Sequence, residues 1–191
     1  MGRDNVTDVS PVLYLVVTGA PLTRHVHHAV ESGRAQGWRV AVVATDAALA
    51  WMDHDELERL DVPVLNEHRQ PDTAKRLPRP DAVVLAPGTF NTINKLAAGI
   101  ADTYALSVLC ESLGARRHMV IVPFVSQSLA GHPAWTRSLA TLRRAGAFLV
   151  DPRSGRLGFE EALESGTGDA VADAFRWDWA LAPIRFEARY T

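Results

Sequence analysis

Four short stretches of this sequence place small and hydroxyl-bearing residues directly after apolar runs. They are Thr18-Gly19-Ala20, Thr45-Asp46, Pro87-Gly88-Thr89-Phe90-Asn91-Thr92 and Pro123-Phe124-Val125-Ser126. Backbone N–H groups and hydroxyls gathered at strand ends suit an anion, and a phosphate above all. Asn91 offers both a donor and an acceptor to the polar edge of a ring. Gly19 stands alone before Ala20-Pro21, without the GxGxxG spacing of a dinucleotide site, so the set predicts a cradle for a mononucleotide.

Other residue types invite chemistry and resolve into plainer roles. His25 and His28 share a helix face, with Glu31 three residues further on, but no cysteine or further histidine completes a metal set locally. No metal site is expected. Cys110 lies in the apolar run Leu106-Ser107-Val108-Leu109-Cys110, without a cationic neighbour to lower its pKa, and is read as a small core residue. Arg143-Arg144 suits a solvated pair at a helix end. Trp135 shares helical spacing with Leu139 and Leu142 and is assigned to packing.

The elements that must carry these loops follow from hydrophobic pattern. Apolar runs at 12–17, 39–44, 81–86, 118–122 and 147–150 have the composition of strands buried on both faces. The pattern predicts helices over 22–36, with Gly37 as the cap, over 47–52 and over 134–146. Another starts at Ile93 and carries Leu96, Ala97, Ile100 and Ala101 on one face. Pro87-Gly88 is expected to end its strand in a turn. The stretch 53–80 is charged and proline-rich, with a short strand at Val62-Pro63-Val64-Leu65. Strands alternating with helices imply a parallel, doubly wound α/β sheet in a single domain, whose ligand lies at the carboxyl ends of the strands. Beyond Asp151, glycines at 155, 158, 166 and 168 predict loops around a short helix. Trp177, Trp179 and Phe186 give the tail aromatic side chains that need a docking surface.

Composition narrows the function classes. The 191 residues are 47% hydrophobic and 22% charged, which suits one domain with a substantial core. A formal net charge of −2 carries no footprint for nucleic acid or an anionic membrane. One cysteine excludes an intrachain disulfide. No apolar stretch approaches the ~20 residues that span a bilayer. Residues 1–11 are polar and read as a disordered leader to a domain over 12–191, and a cytoplasmic protein is expected.

Pro87-Gly88-Thr89-Phe90-Asn91-Thr92 resembles the PASANT motif of the homo-oligomeric flavin-containing cysteine decarboxylases. That family includes phosphopantothenoylcysteine decarboxylase and the flavoproteins acting on C-terminal cysteines of lantibiotic-type peptides. The helix Lys95-Leu96-Ala97-Ala98-Gly99-Ile100-Ala101-Asp102 and the stretch from Pro133 to Gly146 extend the resemblance, which runs from about Val12 to Gly155. It implies a Rossmann-like, flavodoxin-like fold with FMN as cofactor. Gly19, Ala20 and Thr45 would hold its phosphate, and Thr89, Phe90, Asn91 and Thr92 would line the flavin. The backbone at Phe124 would approach the ring. It also implies a homotrimer, or a dodecamer of trimers, with the flavin at the subunit interface.

Two departures bear on the reaction. The family's substrate clamp, PxMNxxMW, is here Pro123-Phe124-Val125-Ser126-Gln127-Ser128-Leu129-Ala130. Ser126 stands where an amide holds the substrate, and its hydroxyl has a shorter reach. The family's catalytic histidine falls near Asp72 or Thr73, and His68 is the nearest histidine, catalytic if the proline-rich loop returns it to the site and otherwise a solvated loop residue. The resemblance therefore implies a flavin-dependent oxidative or decarboxylating enzyme on a small or peptidic substrate. In the family route a cysteine is oxidised at its thiol side to a thioaldehyde that loses carbon dioxide. The alternatives are a non-catalytic FMN-binding or regulatory member, and the flavin prenyltransferase branch.

Overall fold

The computed structural model describes residues 10–68, 72, 77–159 and 161–184. Its centre is β1 (Val12–Val17), every residue of which is buried. A 3-10 turn over Pro21–His25 leads into α1 (Val26–Ala35). Then come β2 (Arg39–Ala44), α2 (Asp46–Leu49), α3 (His54–Arg59) and a two-residue β3 (Val64–Leu65). The second half runs through β4 (Ala82–Gly88), α4 (Phe90–Ala97), α5 (Tyr104–Gly114) and β5 (His118–Pro123). It ends with α6 (Gln127–Ala130), α7 (Pro133–Arg144), β6 (Phe148–Leu149), α8 (Gly168–Ala174) and α9 (Trp177–Leu181).

The strands form one sheet in the order β3-β2-β1-β4-β5-β6, and every pairing is parallel. Parallel neighbours need crossovers, which put helices on both faces, so each strand is apolar on both sides. Strand alternation then splits the core in two. Leu13, Leu15 and Val17 pack with α1, α8 and α9 on one face, while Val12, Tyr14 and Val16 pack with α4, α5 and α7 on the other. Each fully buried Leu, Ile or Val contributes ~1.5–3 kcal/mol of hydrophobic free energy. Chain order reverses between β1 and β4, the switch point where open α/β sheets place their ligands.

Several expected boundaries shift, each for a local reason. β4 continues through Pro87 and Gly88 instead of turning there. Gly88 is in register with Pro123, across an irregularity that starts after Leu85. A proline fits a strand where the ladder is already broken, because its missing N–H is not required. The peptide bond between Ala86 and Pro87 is cis. The helix expected from Ile93 through Ala101 is two helices: α4 starts earlier, at Phe90, and stops at Ala97, leaving Ile100 44% exposed. Thr103 then caps α5, accepting from the Leu106 amide at 3.2 Å. The helix expected over 22–36 opens as a 3-10 turn, and the one at 47–52 is the earlier, shorter α2. The strand expected at 147–150 shortens to Phe148–Leu149. Pro11, placed in the leader by sequence, already accepts from the Arg39 amide at 2.8 Å. Residues 1–9 lie outside the described residues, as do Thr73 and Phe186.

Candidate functional site

β1 and β4 end side by side, and one buried hydroxyl fastens their loops together. Thr18 Oγ1 donates to the Pro87 carbonyl at 2.7 Å and accepts from the Thr89 amide at 3.3 Å. Thr23 Oγ1 in turn donates to the Thr18 carbonyl at 2.6 Å. The two loops diverge beyond this tie around a cleft of about 550 Å³, within the range of small-ligand sites. Gly19, Ala20 and Pro21 form one wall, and Thr89, Phe90 and Asn91 another. Phe124, Val125, Ser126 and Leu129 supply a third, and residues 163–166 with Gly168 close the far side.

Each wall has its own support. Thr89 is the N-cap of α4 but makes no side-chain hydrogen bond to the first-turn amides. Its hydroxyl lies 3.3 Å from that of Thr92. The positive end of α4 is thus directed at the cleft. Asn94 holds that helix in place, donating to the Phe90 carbonyl at 2.9 Å and accepting from Ser138 of α7 at 2.6 Å. The Phe90 ring stacks on Trp135, with centroids 5.9 Å apart. Trp135 is itself buried, in the packing role its spacing predicted. On the far side, Leu163 donates to the Val125 carbonyl at 2.8 Å and accepts from the Gln127 amide at 2.9 Å. Residues 161–166 are thereby laid along the Ser126 loop by backbone bonds. The Ser126 side chain makes no cap bond to α6.

The cleft brings together Gly19, Ala20, Thr89, Phe90, Asn91, Phe124 and Ser126 from the sequence-predicted set. Three members sit elsewhere. Thr45 turns both its amide, at 3.1 Å, and its hydroxyl, at 3.5 Å, onto the Val17 carbonyl. Thr92 is buried beneath the α4 cap. His68 is exposed outside the cleft, its ring edge-on to Tyr104 at 5.2 Å. Ala20 lines the cleft, but its amide is spent on the Thr18 carbonyl at 2.8 Å. Sequence reasoning missed Pro21, Trp51 and the 163–166 segment. A glycine-rich loop was the only local signal for the last of these, because long-range backbone pairing sets its place.

The remaining candidates lie apart from the cleft. His25, His27 and His28 cluster by their rings, His27 and His28 at 4.1 Å between centroids. Burial first and the adjacent His28 second push the His27 pKa down. Among the described residues no group of three His, Cys, Asp or Glu could hold a metal ion. Cys110 is half-buried, and burial pushes its thiol pKa up. Among the described residues no helix is long and apolar enough to cross a membrane.

Known proteins are similar to this chain in sequence and in fold. A cysteine/cysteine sulfinic acid decarboxylase from an unknown prokaryotic organism is 40% identical over 77 residues, 40% of this chain and 21% of that protein. The coenzyme A biosynthesis bifunctional protein CoaBC of Mycolicibacterium smegmatis is 31% identical over 137 residues, 69% of this chain and 32% of its own length. The chain thus spans a third or less of these curated relatives. Among solved structures, the FMN-dependent cysteine decarboxylase TvaF from thioviridamide biosynthesis superposes with a TM-score of 0.63 at 25% identity, over 74% of this chain and 90% of that one. The model of the Flavoprotein family matches residues 2–172, and the chain belongs to that family.

Proposed function

We propose that this protein binds FMN in the cleft between the β1 and β4 loops and acts as a flavin-dependent oxidative or decarboxylating enzyme on a small or peptidic substrate. The observation that carries this reading is the cleft itself. Its position at the switch point, its size and its mixture of amides, hydroxyls and an aromatic wall fit a flavin mononucleotide. The cysteine decarboxylase relatives support the choice of chemistry.

FMN bound there would supply a two-electron acceptor. This chain's residues have narrower tasks. Gly19 lets the β1 loop pack tightly against Ala47 and so shapes the cleft wall, and the α4 N-terminus offers amides to an anion or a polar ring edge. Phe90 and Phe124 give two of the cleft walls an apolar, aromatic surface. Ser126 lines the cleft and would offer a substrate carboxylate a single hydroxyl, with a shorter reach than an amide. The oligomer we propose is a homotrimer, or a dodecamer of trimers, in the cytoplasm.

A second reading, a non-catalytic FMN-binding protein, draws on the position of His68 against Tyr104. The two separate by experiment. The visible spectrum of the purified protein, with chromatography of any released chromophore, comes first. Flavin bands with FMN released are expected, and a colourless protein that takes up no added FMN would sink both readings. Anaerobic bleaching of the flavin by cysteine or a C-terminal cysteine peptide then marks an enzyme. Bound flavin that no thiol donor reduces marks a binding protein.

A further inference from the structure

Among the described residues that line this cleft an anion meets no cation, and Glu164 is the one charged side chain. Two of the backbone donors that sequence assigned to a phosphate are already occupied, the Ala20 amide by Thr18 and the Thr45 amide by Val17. A phosphomonoester carries ~1.5–2 negative charges at neutral pH, and a helix end offsets only ~0.5 of one. The cleft needs a further positive group at its Gly19 end.

Among the described residues, the side chain of Arg24 borders that end. Arg24 Nε donates to the carbonyl of Pro21 at 3.3 Å, and its guanidinium carbon lies 5.7 Å from the centre of the Trp51 ring. Both Pro21 and Trp51 line the cleft. The same guanidinium is paired through Nη2 with Asp169, the residue after lining Gly168. The two side chains of that pair are 44% and 69% exposed, so the bond is easily exchanged for a better one.

We propose that Arg24 is the phosphate-recognising side chain of this cleft, exchanging Asp169 for the phosphomonoester of the bound mononucleotide while it stays stacked on Trp51. The inference rests on the flavin reading above. A guanidinium fork matches phosphate oxygens two at a time, and an aromatic face keeps its plane fixed at low entropic cost. Asp169 competes with the ligand for the same donors and keeps Arg24 beside the cleft when no anion is present.

Titrating the protein with FMN and with riboflavin separates the phosphate contribution from that of the ring. In R24Q, FMN binding is expected to weaken about tenfold with riboflavin binding unchanged, the loss of one charge-assisted contact. In D169N, FMN binding tightens and riboflavin again does not respond. R24K recovers part of the loss, as a point charge without the fork. If R24Q melts like the wild type and keeps its ratio of FMN to riboflavin affinity, this inference is overturned and the flavin reading stands. If the wild-type chain binds neither flavin, both fall.

Discussion

Gly19 has no room for a side chain. A Cβ there would lie 2.9 Å from the Ala47 Cβ and 3.0 Å from the Ala47 carbonyl oxygen. Gly19→Ala must therefore push the β1 loop away from α2, at a cost of ~1–3 kcal/mol, and deform the cleft wall. A melting curve and an FMN titration check this; wild-type values for both would show that the loop yields freely. Tyr14 makes a different prediction. Its hydroxyl donates to the Pro78 carbonyl at 2.7 Å. Burial, then Tyr104 and Glu111, push its pKa up to about 12 from an ordinary 10. The native phenol stays protonated where the unfolded one ionises, so its stabilisation is complete below about pH 10 and is lost as pH rises toward 12. Tyr14→Phe should flatten that alkaline decline in a series of melts, and an equal decline in both proteins would place its origin elsewhere. At this scale the sequence was legible where chemistry is local. Thr89, Phe90 and Asn91 follow β4 directly and reach the cleft together. Trp51 and Leu163 were not foreseeable, because distant returns of the chain bring them there.

Helices and strands were legible in kind and less so in extent. Alternation of apolar runs located β1, β2 and β5 to within a residue, since burial on both faces leaves little choice of composition. Pro87-Gly88 misled because proline usually ends a strand, whereas the broken register beside β5 admits it. Ile100 misled because helical spacing persists for a few residues past the point where α4 stops. The segment after β6 shows how one position can hold two elements together. Gly155 has φ of 69°, and a Cβ on it would lie 2.3 Å from Trp179 Cγ. Gly155→Ala then imposes a left-handed backbone on a residue with a side chain and drives that side chain into the ring. A loss of several kcal/mol is expected, on the order of 3. Chemical denaturation measures it, and a loss below ~1 kcal/mol would mean that α9 moves aside at no great cost.

For the whole molecule, the parallel, doubly wound sheet was implied by the strand-helix alternation and the right-handedness of crossovers, whereas the strand order is set by which strands pair in the fold. Its two cores share the sheet between them, and both contribute to the cleft through β1 and β4. Ligand binding should accordingly protect both layers at once. Hydrogen exchange with and without FMN is expected to slow amides in α1 as well as α4, and protection confined to one layer would contradict a ligand seated between the two loops. Sedimentation should give three times the monomer mass or a multiple of it, and a monomer would remove the trimer from the proposal. Residues 161–166 are attached to the Ser126 loop by main-chain bonds at Leu163, which hold whatever side chains the segment carries. Away from buried Ala162 and Leu163, mutational drift can rewrite that wall without dislodging it. A lineage could thus reshape what the cleft accepts by exchanging the exposed side chains of this segment, while the framework and the β1 and β4 loops pass unaltered to its descendants.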